Sequence, residues 1–307
     1  MERRLPPPSA PRAHLPTEQR HPGARALDAL APEAALALFG EADLEAAQAV
    51  ARARPALARA IELVAGRMAR GGRLFYLGAG TSGRLAALDA AECPPTFGSA
   101  PDRVQAIVAG GDAALRGAVE GAEDDREAAR AELEARGLRD ADVVLGISAG
   151  GTTPFVHAGL EHARARGAAT IFLACVPFEL APDRADLSIR LETGRELLAG
   201  STRLKAGTAT KLALNALSTL VMARLGHVHE DLMVALDTRA NGKLVRRALD
   251  ILRELAGLAE VPGLALLQRA EGDLKAALVM HAHGLELDAA RARLAQCDGL
   301  LRRALET

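Results

Sequence analysis

Between residues 74 and 191, short apolar runs alternate with longer stretches in which apolar residues recur every three or four positions. The runs at 74–77, 104–108, 143–147, 170–176 and 187–191 are rich in Val, Ile and Leu and do not alternate strictly with polar residues. That pattern predicts strands covered on both faces, as in a parallel sheet. Helical spacing predicts helices from 82 to about 90, 112 to about 135, 154 to about 166, and 204 to 225. Strand and helix in turn mean an α/β fold: a doubly wound, five-stranded parallel sheet with its ligand at the carboxyl ends of the strands. Upstream, apolar residues from 27 to 68 keep helical spacing, with breaks expected near Pro32, Gly40 and Pro55, so two or three N-terminal helices should precede the sheet, the last over 55–69. Downstream of 242 only helical stretches follow, near 243–258, 263–271, 274–283, 287–294 and 298–306. They predict a connecting helix and a small helical bundle that carries no obvious chemistry.

The ends change the picture little. Residues 1–16 are basic and Pro-rich and predict a disordered leader; residues 17–25 read as a polar loop or arm. The expected organisation is thus a leader (1–16), a sheet domain with its N-terminal helices (17–242) and a helical C-terminal domain (243–307). A formal net charge of −1 gives no reason to expect a nucleic-acid or membrane partner. Aromatics make up only 2% and Trp is absent, which removes the stacking platforms of single-strand binders. Cys93, Cys175 and Cys297 are odd in number and irregularly spaced, which favours a reducing compartment over a disulfide framework. No apolar run reaches membrane-spanning length and the N-terminus lacks the apolar core of a signal peptide, so a cytoplasmic location is expected.

The candidate chemistry lies in the turns. The first strand runs into Gly78-Ala79-Gly80-Thr81-Ser82-Gly83 and then a helix. Glycines allow a tight turn and a close approach to a ligand, and the helix's first amides lack intrahelical partners. With the Thr81 and Ser82 hydroxyls, this predicts a small anion site, most plausibly for phosphate. The Gly78-x-Gly80-x-x-Gly83 spacing also fits a dinucleotide fingerprint, with Asp112 near the expected acidic position, and spacing alone leaves that reading open. A second such turn, Ser148-Ala149-Gly150-Gly151-Thr152-Thr153, precedes Pro154 at a helix start. Ser148, Gly150 and Thr153 could share one phosphate with Gly80, Thr81 and Ser82, or Thr153 could simply cap its helix. A third polar stretch holds Ser201, Arg203 and Lys205. Two cations opening a helix oppose its dipole unless an anion balances them; the alternative is a solvated basic turn.

Glu92 sits in Ala-Ala-Glu-Cys-Pro-Pro, where the double proline should stop the first helix and place the acid in a cleft or at a surface helix end. Glu123 lies in an acidic cluster expected on the helix over 112–135, whose bland reading is a solvated face. The close pairs His227/His229 and His281/His283 lack carboxylate or Cys partners at metal spacing.

Taken together, LFYLGAGTSGRLAALDAAECPPTFG, AVEGAEDDREAA and GSTRLKAGTATKLALNALST resemble the N-acetylmuramic acid 6-phosphate etherases, a family of the sugar isomerase (SIS) fold group. The resemblance runs from about residue 17 to the C-terminus. It implies cleavage of the lactyl ether of N-acetylmuramate 6-phosphate to N-acetylglucosamine 6-phosphate and D-lactate in cell-wall sugar recycling. It implies neither metal nor organic cofactor, and a homodimer. It makes Glu92 the catalytic acid and Glu123 the base. In the chemistry so implied, the open-chain C1 aldehyde acidifies the C2 proton, a base removes it, an acid protonates the departing lactate oxygen, and water adds to the alkene; two carboxyls in different protonation states suit the task. Where the family commonly reads Ala-Ala-Ser-Gly-Arg-Thr-Pro in the second turn, this chain has Gly150 and Thr152 in place of the Ser and Arg, with Ser148 supplying a hydroxyl two positions earlier. Relatives in the fold group also suggest two other activities, a sugar-phosphate-sensing regulator and an aldose–ketose isomerase. One geometric tension follows. Ser82 and Glu92 are ten residues apart, ~15 Å along a straight helix. Either the helix breaks near Asp89 or Glu92 serves a neighbouring subunit.

Overall fold

The computed structural model describes residues 12–236, 238–239 and 242–306. Residues 1–11 of the expected leader lie outside them, as do residues 240–241 beside the expected domain boundary. Five strands, β1 (Leu74–Gly78), β2 (Val104–Val108), β3 (Val143–Ile147), β4 (Ala169–Ala174) and β5 (Leu187–Arg190), form one sheet in the order β2-β1-β3-β4-β5. Every pairing is parallel, with Leu74 level with Val104 on one side and Val143 on the other. Strands β1, β3 and β4 are buried along their whole length, which is why their sequences do not alternate.

Helices cover both faces. On one face α2 (Arg54–Ala69), α3 (Gly80–Phe97) and α7 (Lys205–Arg224) share an apolar core with the sheet, and α1 (Pro32–Arg52) packs against α7. On the other face lie α5 (Arg126–Ala135) and α6 (Pro154–Ala165), whose core includes Phe75, Leu133, Phe155 and Phe172. A third apolar cluster belongs to the C-terminal helices: α8 (Gly242–Ala256), α9 (Glu260–Arg269), α10 (Leu274–His283), α11 (Leu287–Gln296) and α12 (Leu301–Glu306). No helix among the described residues is long and apolar enough to cross a membrane.

Four expectations need correction. The leader does not extend to residue 16: Leu15 is fully buried in the α5–α6 core, and Pro16–Glu18 forms a 3-10 turn. Burial of Leu15, worth about 1.5–3 kcal/mol, acts together with backbone bonds from Leu15 N to Arg12 O and from Gly200 N to Thr17 O to hold the segment down. Gly40 does not interrupt α1, since a lone glycine costs a helix only about 1 kcal/mol. Helix α3 does not stop before the double proline; it contains Pro94 and Pro95 and ends at Phe97. Two of its final carbonyls have partners: the left-handed Gly98 donates its N–H to Pro94 O, and His227 lies 2.6 Å from Phe97 O through Nδ1. The helix expected over 112–135 is broken into the single turn α4 (Ala113–Arg116), a 3-10 turn (Ala122–Asp124) and α5. Gly117 is extended, Gly121 has φ 76°, and the Asp125 carboxylate caps α5 by accepting from Ala128 N at 3.0 Å. A two-stranded hairpin, β6 (Val228–His229) with β7 (Leu232–Met233), was not anticipated.

Candidate active site

The strand order reverses direction between β1 and β3. After β1 the chain turns out to α3 on one face; after β3 it turns to α6 on the other. The two connections diverge and leave a crevice at the carboxyl edge, the usual ligand position in such sheets. Both helix starts flank it, and neither has a side-chain cap: Ala79 precedes α3 and Thr153 precedes α6 without capping contacts. Thr81, Ser82, Gly150 and Thr153 are all half-buried there, and Gly80 is exposed with φ 54°. Gly83 is sterically required: a Cβ would lie 2.7 Å from Val108 Cγ1 and 2.8 Å from Gly78 O, so any side chain would force the turn apart. Ser148 is buried, and its Oγ sits 2.8 Å from Thr153 Oγ1 and accepts from Thr153 N at 3.3 Å. Its hydroxyl therefore braces the second turn from within.

The third stretch behaves differently. The α7 start already holds an anion: the buried Glu196 carboxylate accepts from Lys205 N and Ala206 N, both at 2.9 Å. Burial pushes the Glu196 carboxyl up from its ordinary range, against the pull of those amides and the Lys205 charge. Lys205 is itself buried; its ammonium pairs with Glu45 of α1 and donates to Arg195 O at 3.1 Å. The anion that balances the basic helix start is thus internal, and Lys205 is turned into the α1–α7 contact. Arg203 is exposed and Ser201 half-buried in the preceding turn. The first turn of α7 still meets the first loop, since a Cβ on Gly207 would lie 3.6 Å from Thr81 Cγ2.

Residues 12–20 form a strap across this edge. Arg12 Nη2 lies 3.7 Å from Glu123 Oε1. Leu15 packs over Gly150, 3.7 Å from where its Cβ would be. Thr17 O accepts from Gly200 N at 2.8 Å, and Arg195 donates to Gln19 Oε1 at 3.1 Å. One segment thus touches the Glu123 turn, the second loop and the third.

Glu123 stands on the 3-10 turn between Gly121 and Asp125, with its side chain 48% exposed. Arg84, in the first turn of α3, ties this region to the first loop by donating to Gly117 O at 2.7 Å. Glu92 is not brought to the cluster. It is exposed, on the same face of α3 as the exposed Leu88, and α3 runs unbroken past it. The break near Asp89 is therefore not found. Asp89 instead anchors the helix: Tyr76 Oη donates to one carboxylate oxygen at 2.8 Å and Ser218 Oγ to the other at 3.0 Å. Burial raises the Asp89 carboxyl above its ordinary value despite both hydrogen bonds. An acid among the apolar positions of a helix was a readable signal for such an anchor; the strap and Glu196 left none. Among the described residues, no group of three or more His, Cys, Asp or Glu could hold a metal ion.

Comparison with known proteins bears on this geometry. Residues 56–164 match the family model of the glucokinase regulatory protein N-terminal SIS domain. The chain is 56% identical over 298 residues to the N-acetylmuramic acid 6-phosphate etherase of Synechococcus sp. (strain CC9605), covering 97% of this chain and 94% of that protein. It is 52% identical over 306 residues to the protein of the same name from Gloeobacter violaceus (strain ATCC 29082 / PCC 7421), covering 100% of this chain and 98% of that one.

Proposed function

The chain belongs to the N-acetylmuramic acid 6-phosphate etherase family, and from that premise we propose how its own residues divide the reaction. It is a carbon–oxygen lyase that cleaves the D-lactyl ether of N-acetylmuramate 6-phosphate to N-acetylglucosamine 6-phosphate and D-lactate, in cell-wall sugar recycling. The phosphate sits across the crevice, on the uncapped starts of α3 and α6 and the hydroxyls of Thr81, Ser82 and Thr153. Gly80 and Gly150 let backbone amides approach it, and Ser148 holds the second turn in shape. Ser201 and Arg203 close the third side, while Lys205 supports the α7 start from beneath. Glu123 takes the C2 proton and Glu92 delivers one to the departing lactate oxygen; water then adds across the new double bond. The observation that carries this reading is the pair of uncapped helix starts, with hydroxyls, at the point where the sheet order reverses.

Incubation with N-acetylmuramate 6-phosphate should release D-lactate. Binding without turnover would instead mark a sensor, and a ketose product an isomerase.

We further propose a cytoplasmic homodimer in which Glu92 completes the partner's site. Support comes from the three free cysteines and from exposed leucines on adjacent helices: Leu36 and Leu44 on α1, Leu88 on α3, Leu212 and Leu220 on α7. Glu92 shares the Leu88 face, so a second copy covering these helices would bury it. Ten residues of unbroken helix, ~15 Å, separate it from Ser82, which is more than a hexose phosphate spans. Mixing inactive Glu92→Ala subunits with inactive Thr81→Ala/Ser82→Ala subunits is expected to restore part of the activity. No recovery, with mixed dimers verified, would place Glu92 in its own subunit or outside the reaction.

A further inference from the structure

We infer that Arg12 recognises the carboxylate of the lactyl group, and so makes the site selective for the ether over the product sugar. The inference rests on the etherase reading. The substrate carries two anions, a phosphate and a lactyl carboxylate, and the helix starts at the crevice account for only the first. The second lies close to the chemistry: the lactyl group leaves from C3, so its carboxylate stands within about 5 Å of C2, whose proton Glu123 removes. A cation that reads it must therefore sit beside Glu123.

Arg12 is in that place. Its guanidinium lies 3.7 Å from Glu123 Oε1, and the two side chains are 34% and 48% exposed, so a ligand can reach both. A contact of that length engages one edge of a group with five N–H donors and leaves geometry for a bidentate pair with a second carboxylate. The residue is held from behind, since Leu15 N donates to Arg12 O at 2.9 Å and Leu15 is fully buried. Two other cations at this edge have partners of their own. Arg84 donates to Gly117 O, and Lys205 pairs with Glu45. Arg203 belongs to the third loop, which meets the opposite end of the strap at Thr17. Loss of the strap's first residue should therefore be felt at the leaving group and not at the phosphate.

The test compares two ligands that differ in the lactyl group. For Arg12→Gln, the Kd and KM for N-acetylmuramate 6-phosphate are expected to rise about 10- to 100-fold, the range for a lost charge-assisted hydrogen bond. The Kd for N-acetylglucosamine 6-phosphate, read by calorimetry and as competitive inhibition, should stay within about twofold, because that sugar lacks the carboxylate. Arg12→Lys should recover part of the difference, since it restores the charge without the fork. Equal weakening of both ligands would make Arg12 a support for the strap alone, and unchanged binding of both would remove it from the site; either result overturns the inference. If the unaltered enzyme releases no lactate, the etherase reading fails instead. If it does release lactate while Arg12→Gln keeps full selectivity, only the assignment of Arg12 fails.

Discussion

Replacing Glu123 by Gln is expected to lower turnover at least ~10²-fold, and Glu92→Gln to do the same, the lower range for general acid–base groups. The substitution keeps the shape of the side chain and removes its charge and its capacity to carry the proton; at Glu123 it also removes the exposed pairing with Arg12. Neither site gives the amide a reason to unfold the protein. Glu123 is on an exposed turn fixed by Gly121 and by the Asp125 cap, and Glu92 is exposed on a helix held by Asp89. Steady-state rates with N-acetylmuramate 6-phosphate, alongside binding of the sugar phosphate, separate chemistry from affinity. Lower kcat with preserved binding is the expected outcome. Near-normal rates in both variants would remove the two acids from the mechanism.

The second large effect is on stability. Asp142 is fully buried at the edge of the sheet away from the crevice. Its carboxylate accepts from Arg73 N at 2.8 Å, Arg73 Nη2 at 2.8 Å and Arg139 N at 2.9 Å, which clamps the start of β1 to the start of β3. Asp142→Ala leaves the mostly buried Arg73 guanidinium with backbone acceptors at Arg136 O and Gly137 O but without its carboxylate, and is expected to cost about 3 kcal/mol, measured by denaturant unfolding. The rate per folded molecule should be unchanged. Burial alone would raise the Asp142 carboxyl, but the hydrogen bonds and charge of Arg73 and the Arg139 amide together hold it below its ordinary value. The folded state thus binds the proton less readily than the unfolded chain. The stabilisation is present above the unfolded value of about 3.9 and is lost as pH falls through the lower folded value. The alanine variant should therefore have a flatter acid limb; an unchanged limb would assign acid unfolding to other carboxylates.

The sheet was legible because strands buried on both faces need unbroken apolar runs, and nothing at 74–77 or 143–147 competes with that reading. The two turns at the crevice were legible because only glycines and small hydroxyl residues suit a backbone that must bend sharply and offer its amides. What stayed hidden depends on distant partners. Pro94 and Pro95 argue locally for a helix end, and only Gly98 and His227 reveal how α3 continues to Phe97. The basic start of α7 was rightly short of an anion, yet nothing near it in sequence singles out Glu196 as the one that serves. The strap is polar and proline-containing, so its local character is that of a loose end; Leu15 is held by a hollow formed by residues far along the chain.

That last arrangement bears on how the molecule comes into being. The strap precedes its anchoring points at Glu123, Gly150 and Gly200 in the chain, so it is synthesised well before they are. Contacts between such remote positions close a long loop before they are rewarded, and so form late. A nascent chain interrupted before residue 200 could build most of the sheet and would still have nowhere to seat the strap's far end, so catalytic competence should arrive as one of the final events of folding.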